Sequence, residues 1–137
     1  MEKILIDTDI ILDLLMKRKP YYQPSVKLFK LIENKKVIGY VSSLIFTNLF
    51  YIIRKVEGNE KARNSLKKLK LLVKVLAVDD KIIELGLSSD FKDFEDSIQY
   101  YVALENGIKK IITRNVDDYK YSKLPVFTAE EYINLNE

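Results

Sequence analysis

Residues 3–16 read KILIDTDIILDLLM. Lys3 to Asp7 has the make-up of a short buried strand: an unbroken apolar triplet, Ile4 to Ile6, closed by an acid. From Ile10 to Met16 the apolar residues return at helical and near-continuous spacing, so a helix follows almost at once. A strand that hands over to a helix this quickly opens a βα unit, and the next strand then lies parallel to the first. Asp7, Asp9 and Asp13 also disqualify the stretch as a membrane span or a secretory apolar core.

The alternation continues outward. Pro20 and Pro24 mark a break and a new helix start, with apolar positions at Val26, Leu28, Phe29, Leu31 and Ile32. Val37 to Val41 reads as a second strand, and Ser42 or Ser43 suits the N-cap of a helix reaching about Val56, before Gly58. A helix over Glu60 to Leu72, a strand over Val73 to Val78 and a helix capped by Asp79 or Asp80 follow. Asp93 opens another helix ending near Gly107. Lys110 to Thr113 is a strand, Pro125 to Phe127 a short last one, and Thr128 with Glu131 forms a capping-box pattern. Strands separated by helices predict an α/β fold, a three-layer αβα, Rossmann-like arrangement around a parallel sheet of four to five strands.

The 137 residues fit one domain, 47% of them apolar, and no low-complexity stretch interrupts them. The formal charge is +3, from 23 basic and 20 acidic side chains, which alone demands no nucleic-acid partner. There is no cysteine and no histidine. Disulfides, thiolate metal sites, the commonest general base and the commonest zinc ligand are thereby excluded. The remaining chemistry belongs to carboxylates, Lys, Tyr, Ser, Thr, or a hard metal bound by oxygen. With no apparent leader or span, a cytoplasmic location is expected.

Ligands of open parallel sheets bind beyond the carboxyl ends of the strands. Asp7 ends the first strand, Asn115, Asp117 and Asp118 follow the strand ending at Thr113, and Asp93 and Asp96 share one face at a helix start. Each has an ordinary explanation taken alone: Asp7 as a helix cap, Asp93 and Asp96 as complements to a helix dipole, Asp117 and Asp118 as a solvated turn. Together at one sheet edge they would repel unless a cation intervened, and oxygen-only ligation points to Mg²⁺ or Mn²⁺. Such a site suits phosphodiester hydrolysis without histidine. Basic residues cluster between Arg54 and Lys74 and at Lys17, Arg18 and Lys19, either as phosphate-facing surfaces or as solvated helix faces. Tyr21, Tyr22, Tyr100 and Tyr101 offer rings to stack on bases, though packing explains most tyrosines.

The ordered segments ILIDTDIILDLL (4–15), VSSLIFTNLFYIIRK (41–55), DFEDSIQYYVALENG (93–107), IITRNVDDY (111–119) and LPVFTAEEYI (124–133) resemble a PIN domain over nearly the whole chain. Residues 1–137 would then form a single PIN domain, similar to small prokaryotic VapC-like proteins. The resemblance implies a Mg²⁺- or Mn²⁺-dependent endoribonuclease, the toxin of a type II toxin–antitoxin pair in the fullest form of the reading. It implies an RNA substrate, an antitoxin partner, a homodimer and no membrane. Asp7, Asp96 and Asp118 match the family's catalytic and metal-binding acids, and Thr113 and Asn115 match polar positions of the same cleft. Asn48 stands where many members carry a second-motif Glu, so Asp93 or Glu95 would have to compensate, and Asp9 stands where Asn is common.

Two other readings compete. A haloacid-dehalogenase-like phosphatase is suggested by Asp7-Thr8-Asp9 and Thr113, but Asp117 and Asp118 follow Thr113 too closely to admit that family's lysine and extra strand. A catalytically weakened PIN domain, binding RNA or protein only, is suggested by Asn48. Dinucleotide and P-loop binding are rejected, because Gly39, Gly58, Gly86 and Gly107 stand isolated.

Overall fold

The computed structural model describes residues 1–136. The elements run β1 (Glu2–Ile6), α1 (Thr8–Leu15), α2 (Tyr22–Glu33), β2 (Val37–Ser42), α3 (Leu44–Glu57), α4 (Asn59–Leu72), β3 (Lys74–Leu76), α5 (Asp80–Leu87), α6 (Phe94–Glu105), β4 (Lys110–Ile112), a 3-10 turn (Val116–Tyr119), β5 (Val126–Phe127) and α7 (Ala129–Leu135). All strand pairings are parallel, in the order β3-β2-β1-β4-β5. The expected three-layer α/β architecture is thus the observed one, with five strands.

Side chains of a strand alternate between faces, and β1 divides the core accordingly. Ile4 and Ile6 join one apolar cluster with residues of α1, α2, α3, α4 and α7. Leu5 joins another with residues of α5 and α6. All three are fully buried, which explains why β1 reads as an apolar run rather than an alternation. On β2, Val37 and Val41 face the first cluster with Gly39 between them. A Cβ on Gly39 would lie 2.8 Å from Ile32 Cδ1 and 3.0 Å from Ile6 Cδ1, so a larger residue there would make these two side chains turn.

Local capping follows the sequence closely. Asp79 caps α5 through Ile82 N, Asp93 caps α6 through Asp96 N, and Thr128 with Glu131 closes a capping box on α7. Ser43 differs: it sits at the start of α3 without capping it, and its hydroxyl accepts instead from Val78 N at 3.2 Å, tying β2 to the segment after β3. The strand expected over Val73–Val78 contracts to Lys74–Leu76, because β3 is a sheet edge with few partners. No helix among the described residues is long and apolar enough to cross a membrane.

Strand order reverses between β1 and β4, the crevice where open α/β sheets take ligands. Ile6 pairs with Ile112, and Asp7 N donates to Ile112 O at 2.9 Å. Asp7 and Thr113, 106 residues apart in sequence, therefore leave the sheet side by side.

Candidate active site

Asp7 is buried at this switch point, 6% exposed, and its carboxylate is surrounded by donors. Oδ1 accepts from Thr8 N at 2.7 Å and Gln99 Nε2 at 3.4 Å; Oδ2 accepts from Thr113 Oγ1 at 2.9 Å and Tyr119 OH at 3.1 Å. The capping role and the cleft role of Asp7 coexist, since Thr8 N belongs to the first turn of α1. Burial, and the carboxylate of Asp7 beside it, hold the Tyr119 hydroxyl well above the usual phenol range, so it remains a donor. Thr113 relays a second link, its Oγ1 accepting from Asn115 N at 3.2 Å.

Asp96 lies in the first turn of α6, facing Asp7. Its pKa is raised to about 7, by burial first and then by the charges of Asp7, Asp93, Asp118 and Glu95. Remote acids thus do converge. Asp96, Asp93, Asp117 and Asp118 line one cavity of about 380 Å³ together with Lys92, Lys120 and Tyr121. Asp118, expected among the metal-binding acids, and Asp117 ride on the 3-10 turn and are exposed, as the solvated-turn alternative also required. Asp93 is exposed too, and one of its oxygens is spent on capping its own helix through Asp96 N at 3.0 Å.

Glu95 occupies the ground left by the amide at Asn48. Its Oε1 accepts from Thr8 Oγ1 at 3.1 Å and its Oε2 from Asn48 Nδ2 at 3.2 Å. Burial, together with Asp7 and Asp93, raises its pKa. Asn48 therefore acts as a donor to an acid from α6, and of the two acids expected to stand in for it, Glu95 rather than Asp93 is the one it touches.

Asp9 has turned toward the loop after β4. Its Oδ1 accepts from Arg114 N at 3.3 Å and its Oδ2 from Asn115 Nδ2 at 3.0 Å. Burial and the charge of Asp7 raise its pKa to about 6. One helical turn further, Asp13 is fully buried and pairs with Arg114 at 2.8 Å. The Arg114 guanidinium lies 4.1 Å from the centre of the Tyr21 ring. Two successive turns of α1 thus clamp the loop that carries Asn115, Asp117 and Asp118.

Gln99, Tyr119, Asp13 and Arg114 escaped the sequence reading. A usable signal existed for Gln99, a polar residue three positions after Asp96 on the buried face of α6. Arg114 and Asp13 carry no comparable local mark.

The donor chemistry fits a hard divalent cation, being wholly oxygen, and the mutual repulsion felt by Asp96 is what such a cation would relieve. Yet among the described residues no three acids form a closed metal-binding group. The physical reason is visible: Asp7 is turned onto its own donors, Asp93 onto its helix, and Asp118 stands at the rim. The arrangement suits an ion that keeps much of its water, as Mg²⁺ does, held by a few carboxylates.

The PIN domain family model matches residues 3–117, and the chain belongs to the PIN domain family. It is 28% identical over 136 residues to Ribonuclease VapC1 of Aquifex aeolicus, an alignment spanning 96% of this chain and 93% of that protein. In fold it resembles FitAcB of Neisseria gonorrhoeae, with a TM-score of 0.71 at 15% identity over 93% of this chain and 98% of that one. A toxin–antitoxin complex from Klebsiella pneumoniae gives a TM-score of 0.67 at 21% identity over 92% and 97% of the two chains. The phosphatase reading falls with the family assignment, and with the geometry. Only a loop and a single 3-10 turn separate Thr113 from Asp118, so no further strand is available there.

Proposed function

We propose that this chain, residues 1–137, is a single-domain PIN endoribonuclease that hydrolyses RNA phosphodiester bonds with a divalent ion, Mg²⁺ or Mn²⁺, held by Asp7, Asp96 and Asp118. The observation that carries the reading is the gathering of acids at the β1–β4 switch point, where burial first and the charges of Asp7, Asp93, Asp118 and Glu95 next push Asp96 up to about 7. Its relative from Aquifex aeolicus bears the name of a ribonuclease, which supports RNA as the substrate.

When bound, the ion supplies positive charge to a phosphate and acidifies a water. The residues do the rest. Asp7, fixed by Thr8, Gln99, Thr113 and Tyr119, is a rigid anchor with no rotamer freedom to lose. Asp96, half-buried and facing the charges of Asp7, Asp93 and Asp118, would be drawn to the ionised state by the cation and hold it against Asp7. Glu95, steadied by Thr8 and Asn48, adds negative charge on the opposite flank. Lys92 and Lys120 border the acidic cavity and draw a phosphate backbone toward it.

The likeness to a toxin–antitoxin complex supports the further reading that the protein is the toxin of such a pair. It would then work in the cytoplasm, as a homodimer, with an antitoxin covering the cleft. A second reading, a weakened PIN module that only binds, is favoured by Asn48 and by the absence of a closed three-acid group among the described residues. Incubating purified protein with single-stranded and structured RNA in Mn²⁺, Mg²⁺ or EDTA separates the two. Metal-dependent cleavage that disappears in Asp96→Asn is expected; retained RNA binding with no cleavage in either metal would transfer the assignment to the module.

A further inference from the structure

We propose that the cavity enclosed by α1, α2 and the loop after β4 is a nucleobase subsite, which seats one base of the RNA strand beside the acidic centre. The proposal rests on the ribonuclease reading for its polymer, and on separate residues for its site.

The cavity measures about 340 Å³, within the range of small-ligand pockets. Tyr21, Ser25, Asp13, Arg114, Asn115 and Thr128 are among its walls. Three of them carry buried polar atoms without partners among the described residues: Asp13 Oδ2, Ser25 Oγ and Arg114 Nε. Asp13 and Ser25 are fully buried residues. Buried polar groups are nearly always satisfied, and these three sit just behind the cavity wall, two of them on the Asp13–Arg114 pair, where a ligand would meet them once the wall side chains turn. Tyr21 supplies the complementary feature. Its half-exposed ring and the guanidinium of Arg114 at 4.1 Å form a flat, stacked wall. A flat aromatic body with a polar edge satisfies both halves of the cavity, and a nucleobase is that object.

Location supports the same ligand. Arg114, Asn115 and Thr128 also line the neighbouring cavity that contains Asp117 and Asp118. Those two acids continue into the cavity of Asp96, which ends at Lys92, Lys120 and Tyr121. The three cavities therefore form a row along the carboxyl edge of the sheet, with the acids in the middle and a tyrosine at either end. A single strand lying along them would bring a phosphate over the acids and a base to Tyr21. The orphan atoms comprise an acceptor at Asp13, a donor at Arg114 and a hydroxyl at Ser25 that can do either, which matches the mixed donor–acceptor edge of a base.

Fluorescence anisotropy of labelled single strands in EDTA, where nothing is cut, tests this with the full chain. Oligocytidine, oligouridine and an abasic ribose-phosphate strand of equal length are titrated with wild type, Tyr21→Ala and Ser25→Ala. Wild type should bind oligocytidine on the order of tenfold more tightly than the abasic strand. Tyr21→Ala should lose most of that margin while keeping its affinity for the abasic strand, and Ser25→Ala should narrow the margin of both base-bearing strands over the abasic one. Equal binding of base-bearing and abasic strands by wild type would overturn the subsite, as would an equal loss on all strands in Tyr21→Ala. Cleavage without a Tyr21-dependent base margin would sink the subsite and leave the nuclease standing. The margin without cleavage in any metal would do the reverse.

Discussion

Replacing Asp96 by Asn should stabilise the metal-free protein, and by an amount that depends on pH. In the folded chain Asp96 titrates at about 7 against 3.8 for an ordinary aspartate. Between those values the native state binds more protons than the unfolded state, so stability falls as the pH rises and levels off above about 7. Full ionisation would correspond to roughly 4 kcal/mol of lost stability. Asp96 is half-buried at a cleft open to water, and screening reduces this to about 1–2 kcal/mol. For a domain of this size that is a rise in Tm of roughly 3–6 °C for Asp96→Asn at pH 8. The gap between variant and wild type should close as the pH is lowered toward 4, where the native carboxyl is already neutral. Mg²⁺ should narrow it from the other side, raising wild type by about 1.4 kcal/mol at ten times its Kd and the variant by less. Thermal unfolding followed by circular dichroism, from pH 4 to 8 in EDTA and in Mg²⁺, provides the measurement. Identical pH slopes for the two proteins, or a variant less stable than wild type at pH 8, would refute the claim that crowded carboxylates define this cleft.

Asp7→Asn should abolish cleavage as Asp96→Asn does, but without the gain in stability. Relief of repulsion alone would stabilise both, yet the carboxylate of Asp7 accepts from four donors, and an amide would set its own N–H₂ against some of them, lowering the unfolding free energy measured in urea by about 1–3 kcal/mol. Arg114→Ala leaves the fully buried Asp13 without its partner and should destabilise by about 3 kcal/mol in chemical denaturation, with Asp13→Asn in the same background recovering part of the loss. Tyr119→Phe removes only the hydroxyl that reaches Asp7 Oδ2 and should lower stability by about 1–2 kcal/mol, with a reduced cleavage rate in a fixed-metal assay.

Much of the site was open to inspection along the chain, but unevenly. The acid after Ile6, the paired acids at the start of α6 and those after Thr113 are local marks, each set at the end of a strand or the beginning of a helix. Their roles were less visible. Asp93 combines a cleft position with an ordinary cap, Asp9 holds the backbone of Arg114, and Glu95 rather than Asp93 fills the space beside Asn48. The cap at Asp93 is local, but the way the other two side chains turn is set by neighbours more than a hundred residues away for Asp9 and almost fifty for Asn48.

The elements themselves follow from short-range rules. The apolar triplet of β1, the 3.6-residue spacing of the helices, and the caps at Asp79, Asp93 and Thr128 are all written within a few residues of where they act, because backbone hydrogen bonds and caps close over that range. The family resemblance adds the order of those pieces and the acids, Asp7, Asp96 and Asp118, expected to act together. The pairing of β1 with β4, which puts Asp7 beside Thr113, belongs to the folded sheet alone. So does the clamp of α1 on the loop at 114–115, and so does the rise of the Asp96 pKa. Electrostatic crowding and burial depend on distance through space, and distance through space exists only after the layers have packed.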